Sequence, residues 1–242
     1  MQPFIDTEKI HDVLKIHHEK VRKTHEPVMT VLIGSQNYGL STEKSDYDTF
    51  TFVLPTKQSI ALAETPVSHK IEDEYGHINI KDIRLALNLL RKTNPNSVEC
   101  FATKYRLTEP AYENMIEISP IMLRCDTMHM MSAIGGLAHQ LAKRNMAPGK
   151  QLSHILRMEC MVENYFDINS DILSMTEEKR EKALAAKQDP LKEEWIAECA
   201  VQEQKVQEAI RKADINTFAQ YEKFANKCVV NIAESFMEKL YK

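Results

Sequence analysis

VMTVLIGSQNYGLSTEKSDYDTFTFVLP, residues 28–55, decides how the rest of the chain is read. An apolar run over 28–33 stops at Gly34-Ser35. Ten residues further on, Asp46-Tyr47-Asp48 leads into a second apolar run over 50–54. Both runs are rich in β-branched or aromatic residues and predict strands, over 28–33 and 46–54, joined by a turn and a short helix. Side chains two apart in a strand share a face, so Asp46 and Asp48 aim at one spot. Two ionised carboxylates that close repel each other unless a cation lies between them, and hard oxygen ligands suit Mg²⁺ or Mn²⁺. A divalent ion held this way bridges phosphate oxygens and assists in-line phosphoryl transfer. Gly34 lets the backbone turn tightly against a phosphate, and Ser35 adds a hydroxyl and an N–H at the start of the short helix. Phe50 and Phe52 continue the Asp face as apolar residues, which puts the charged mouth at the edge of a core. Read as turn and edge residues, Ser45, Asp46 and Asp48 explain an isolated Asp-x-Asp. They do not explain Gly-Ser after an apolar strand at this spacing.

Outward from that stretch, composition sets limits. A chain of 242 residues holds one large domain or two small ones. Hydrophobic and charged shares of 43% and 27% fit a globular protein with a sizeable core. No apolar run approaches the length of a membrane span and no cleavable signal is recognised, so a cytoplasmic protein without a membrane partner is expected. Cys100, Cys125, Cys160, Cys199 and Cys228 are odd in number and lack any CxxC spacing, which favours reduced, buried thiols over a disulfide framework or a zinc site. A net charge of −4 provides no global attraction for nucleic acid, so any such contact needs a local basic patch.

Before the opening stretch, Asp6 caps a predicted helix to about residue 23, with Ile10, Val13, Leu14, His17 and Val21 at helical spacing. His11, His17, His18 and His25 lie on or beside it. They lack acidic or cysteine partners at ligand spacing and are read as part of a solvated helix. After it, 67–74 and 77–81 predict a hairpin around Tyr75-Gly76. Asp82 then caps a helix over 83–91, and Asn94-Pro95 starts another. From about residue 126 only helices are predicted: 126–143, ended by Lys143-Arg144, then 150–166, one from a capping box at Ser174 to about residue 186, 191–211 and 217–241. The last carries Phe218, Tyr221, Phe224, Cys228, Ile232, Phe236 and Leu240 as its apolar stripe. The expected fold is α+β: a mixed sheet flanked by helices over 1–110, then a helical domain over 111–242, divided near 105–122.

Lys150, His154 and Arg157 fall at i, i+4 and i+7 and share one face of a helix. Facing a cleft, that stripe would hold a triphosphate or an RNA phosphate, arginine by a bidentate contact. The competing reading is a solvated face opposite Leu152, Ile155 and Met158. Tyr38 is read either as a stacking surface for a base or as a packed aromatic.

Gly34-Ser35, a spacer and Asp46-Tyr47-Asp48 together resemble the nucleotidyltransferase superfamily of DNA polymerase β in its minimal form. The longer string over 34–50, with Tyr38-Gly39 and Ser45, resembles a bacterial and phage branch associated with RNA repair. Asp82-Ile83-Arg84, Asn94-Pro95-Asn96 followed by Glu99, and Lys150, His154 and Arg157 extend that likeness. The resemblance implies nucleotidyl transfer: a nucleoside triphosphate held by Gly34, Ser35, Tyr38, Ser45, Lys150, His154 and Arg157, with Asp46 and Asp48 as catalytic, metal-binding carboxylates. An acceptor hydroxyl on RNA, protein or a small molecule attacks, and pyrophosphate leaves. The family also implies a third carboxylate on a neighbouring strand. Asp82 is the choice here, with a helix N-cap as its competing reading. Without a third acid, the chain reads instead as a nucleotide-binding or regulatory module. A modifying enzyme from a toxin–antitoxin or phage–host system, acting on protein or tRNA, is a further alternative.

Overall fold

In a computed structural model, which describes residues 5–43, 45–143 and 146–241, the Asp6 carboxylate accepts the Lys9 amide at 3.0 Å and starts α1 (Thr7–Arg22). Ile10, Val13, Leu14, His17 and Val21 form its buried stripe, as the spacing predicts, and His18 joins them. Neither His17 nor His18 is solvated, which corrects the expectation for these two. Thr30 and Thr49 place hydroxyls on the sheet face beneath α1. His17 Nδ1 lies 2.9 Å from Thr49 Oγ1, and His18 Nδ1 lies 2.9 Å from Thr30 Oγ1. Their other ring nitrogens meet Asp73 and Glu109. Buried imidazoles persist because both nitrogens find partners.

The sheet runs in the order β3-β4-β2-β1-β5. Strand β1 (Pro27–Leu32) lies antiparallel to β2 (Thr49–Val53) and to β5 (Arg106–Thr108). Strand β4 (His77–Asp82) runs parallel to β2, and β3 (Ser68–Glu72) pairs antiparallel with β4 as the predicted hairpin. The mixed sheet is therefore present. Strand β2 starts at Thr49, so Asp46 and Asp48 precede it instead of forming its first turn of alternation. The ladder still reaches them: Asp48 carbonyl oxygen accepts the Ile33 amide at 2.9 Å.

Beyond the connecting α2 (Lys57–Ala61), the predicted caps hold. Asp82 accepts the Arg84 amide at the start of α3 (Ile83–Arg91), and Asn94 caps α4 (Pro95–Ala102) with Pro95 in its first turn. Phe101 of α4 stacks on Phe52, with ring centroids 5.3 Å apart. In the helical half, α6 (Pro148–Tyr165) packs against α5 (Thr127–Lys143), α7 (Glu177–Gln188) and α8 (Glu194–Lys212). Lys143 is in the last turn of α5; Arg144 lies outside the described residues. Thr176, not Ser174, caps α7, through the Lys179 amide. Helix α9 (Ala219–Tyr241) packs on α3 and buries Ala225, Val229 and Phe236; Phe218, Cys228, Ile232 and Leu240 of the predicted stripe also pack against the core, while Tyr221 and Phe224 point outward. All five cysteines are free thiols. Among the described residues, no helix is long and apolar enough to cross a membrane.

Candidate active site

Gly34, two residues past the end of β1, has φ +92°, a backbone conformation that side-chain-bearing residues rarely adopt. A 3-10 turn, Ser35–Tyr38, follows. Glu99 and Gln36 fix it in place through part-buried hydrogen bonds. Glu99 Oε1 accepts the Gly34 amide at 2.7 Å and the Asn37 side-chain amide at 3.1 Å. Gln36 Nε2 donates to the Asp46 carbonyl at 2.7 Å, tying the Gly-Ser turn to the acidic segment. Burial pushes the Glu99 carboxyl up, while Arg157, the Gly34 amide and Asn37 pull the other way.

Opposite the turn stands α6. Between them lies a cleft of about 480 Å³ that brings together Gly34, Ser35, Ser45, Asp46, Asp48, Lys150, His154 and Arg157. The i, i+4, i+7 stripe thus faces the acidic pair across one space. Lys150 is exposed, His154 half-buried and Arg157 buried. Arg157 Nη2 donates to His154 Nδ1, and its Nε finds no partner among the described residues. Ser45 Oγ accepts the Thr42 amide at 2.9 Å.

Two expected site residues are elsewhere. Tyr38 does not line the cleft: it is 3% exposed, the Arg157 guanidinium lies 5.0 Å from its ring centroid and its hydroxyl meets Met161 sulfur. It is a packed aromatic with no face left for a base. Asp82 is at the wrong end of its strand. The parallel register sets Thr49 beside Ile78 and Val53 beside Asp82. Asp82 is therefore five residues, roughly 16 Å, along β4 from His77, the neighbour of Asp48. It is 1% exposed and bound to Arg84 through side chain and amide. Its role is the helix cap.

Three residues that sequence reasoning gave no role also shape the site. Lys187, in the last turn of α7, lines the cleft and donates to the Leu40 carbonyl at 2.6 Å, with Ser45 Oγ at 3.5 Å. Burial, and then the charges of Arg157 and Lys150, push its ammonium down to about 8. His77 donates its amide (3.0 Å) and Nδ1 (2.9 Å) to Asp48 Oδ1. Glu99, quoted above only as part of a likeness, anchors the turn. A mixed sheet with a Gly-Ser turn closing one strand and Asp-x-Asp leading into the next, walled by a cationic helix, defines the DNA polymerase β class of nucleotidyltransferases. The chain belongs, more narrowly, to the RlaP family, the RNA repair pathway DNA polymerase beta family, whose family model matches residues 7–217. Among curated proteins, none matches it.

Proposed function

We propose that this chain transfers a nucleoside monophosphate from a nucleoside triphosphate to an acceptor hydroxyl and releases pyrophosphate. The observation that carries the reading is one cleft with Asp46 and Asp48 on one wall and Lys150, Arg157 and Lys187 on the other. Opposed carboxylates and fixed cations suit a polyphosphate bound with a divalent ion. The donor set fits Mg²⁺ or Mn²⁺: Asp46 and Asp48 offer hard oxygens, and Mg²⁺ is ordinarily held by one or two carboxylates plus substrate phosphates. When bound, such an ion offsets charge on the phosphates and polarises the oxygen under attack. The chain's own residues would then orient the reactants. Ser35 and Ser45 offer hydroxyls to the triphosphate, Lys150 and Arg157 hold the departing pyrophosphate, and Gln36 keeps the Asp46 backbone against the turn. The family's association with RNA repair supports an RNA acceptor.

Calorimetric titration with Mn²⁺ and each of the four triphosphates tests this. Wild type is expected to bind at least one of them. The Asp46→Ala, Asp48→Ala double variant is expected to lose on the order of tenfold or more in affinity. Equal binding by both proteins would end the proposal. A second reading, a nucleotide-binding module without turnover, is favoured by the absence of a third acid among the residues lining the cleft. Transfer of label from an α-labelled triphosphate to RNA, with pyrophosphate release, eliminates it.

A further inference from the structure

The geometry points to a seat for the acceptor on the open face of β2, β4 and β3. There the 3′-terminal nucleotide of a single-stranded RNA lays its base over Phe50 and its phosphate on Lys81. The inference rests on the nucleotidyl-transfer reading above and adds the place and the class of the acceptor. In that transfer the acceptor oxygen bonds to the α-phosphorus as the bond to the pyrophosphate oxygen breaks, the two oxygens roughly in line. Pyrophosphate keeps the electron pair, and the hydroxyl proton passes to solvent. Lys150, Arg157 and Lys187 face the departing end, and the Gly34-Ser35 turn lies on the β1 side of β2. The hydroxyl therefore enters from the other side of β2, where β4 and β3 lie.

The register shows what it meets there. Parallel pairing sets Phe50 beside Asn79 and Phe52 beside Lys81. Antiparallel pairing then sets Lys70 beside Asn79 and Ser68 beside Lys81. Paired residues share a face, so two rows, Phe50-Asn79-Lys70 and Phe52-Lys81-Ser68, follow the row that holds Asp48 and His77. Ile71, Ile78 and Ile80 turn to the opposite face and pack with Val21 of α1. Ser68 and Lys70 are exposed, while Phe50, Asn79 and Lys81 are half-buried, so this face is open to solvent beside the acidic pair. Phe50 is two residues, roughly 7 Å, along β2 from Asp48, a span that a nucleoside bridges between its base and its ribose hydroxyls.

The two rows carry aromatic rings, an amide and two lysines, and no acid. Rings for bases and cations for the backbone are what a single-stranded nucleic acid needs from a surface. Phe52 backs the Phe50 ring, with centroids 6.1 Å apart, and itself stacks on Phe101. The cover on Phe50 is the Lys81 ammonium, 4.9 Å from the ring centroid, on a flexible stem that yields to a base and then meets its phosphate. Tyr38 differs, because the cation over its ring is a buried arginine. A pocket of about 170 Å³, lined by Phe50, Lys81, Leu89 of α3 and Asn96 of α4, gives the base depth.

Photocrosslinking of the full chain to a short unstructured RNA with 5-iodouridine at its 3′ end tests this. Mass spectrometry is expected to map the crosslink to the peptide that holds Phe50. By fluorescence anisotropy, Phe50→Leu, which keeps the apolar packing, and Lys81→Gln are each expected to weaken RNA binding by about tenfold. Their affinity for Mn²⁺ and triphosphate should match that of wild type. A crosslink outside β2 and β4, or RNA binding unchanged in both variants, would overturn the inference. So would label from an α-labelled triphosphate arriving on protein and not on RNA. If Phe50→Leu does not fold, the crosslink and Lys81→Gln still decide. Wild type that crosslinks at Phe50 and binds no triphosphate would defeat instead the nucleotidyl-transfer reading.

Discussion

At the scale of single residues, Lys187 ties the proposed chemistry to pH. Burial and two neighbouring cations hold its ammonium near 8, far below the ordinary lysine value. A phosphate beside it favours the charged form, so its proton affinity rises on binding. Above about 8 the free protein has lost a proton that the complex needs, and nucleotide affinity is expected to fall as pH rises through that value. Titrations in buffers of different ionisation enthalpy are expected to report proton uptake between pH 8 and 9.5. Lys187→Met abolishes that uptake and weakens binding at pH 7 by about tenfold, the loss of one charge-assisted contact. Wild type and Lys187→Met with the same pH profile would count against a phosphate contact. Nothing in the local pattern marks Lys187. It reaches the cleft because α7 packs beside α6, a tertiary relation that helical spacing does not encode. That Gly34, Ser35, Asp46 and Asp48 come together at one cleft was legible because their spacing is local. Asp82 misled because its strand is legible while a parallel register, which decides what stands beside Asp48, is not.

Between elements, backbone contacts and buried polar pairs set the site's position. An added Cβ at Gly149 would lie 2.0 Å from the Ala186 carbonyl oxygen, and the Gly149 amide donates to Pro190 at 2.8 Å. This close approach brings Lys150 and Lys187 to the same wall. Gly149→Ala is expected to cost about 1–3 kcal/mol, the usual penalty of overpacking, measurable by urea unfolding. It should also weaken nucleotide binding, while Gly136→Ala, inside α5 with open space at its Cβ, leaves binding unchanged and raises stability by up to about 1 kcal/mol. On the other side of the sheet, burial holds His17 below the ordinary histidine value despite Asp73 nearby. A native state that disfavours the imidazolium loses stability as pH falls below 6.5, because the unfolded chain takes up the proton first. The unfolding temperature is expected to drop from pH 7.5 to 5.5, and less steeply in His17→Asn, which keeps a partner for Thr49. Parallel slopes would exclude His17 as a source. The caps at Asp6, Asp82 and Asn94 were readable because each bond spans two or three residues. The threonine partners of His17 and His18 lie 32 and 12 residues away and their carboxylate partners 56 and 91, and no periodicity reveals them.

Over the whole molecule, one hydrophobic cluster runs from Val28 to Phe236 and draws on both sides of residue 110. The predicted change from a sheet-bearing half to a helical half is real in secondary structure, yet the two share a core. Helix α9 lies past the end of the family match at residue 217, and it returns to pack on α3, the helix that follows β4. Phe236, 2% exposed, meets Tyr112 with ring centroids 5.6 Å apart. The cleft is built from both halves, so its geometry depends on that shared packing. Phe236→Ala is expected to cost about 3–5 kcal/mol, the usual loss for a buried aromatic. If the halves unfold together, the fluorescence of Trp195, in α8, and far-UV circular dichroism should give coincident urea transitions, and Phe236→Ala should shift both to the same midpoint. Separate transitions, with only one moved by the variant, would mean that 1–110 and 111–242 are independent folding units. In that case the acidic pair and its cationic wall would be held in register by the bound nucleotide, not by the core.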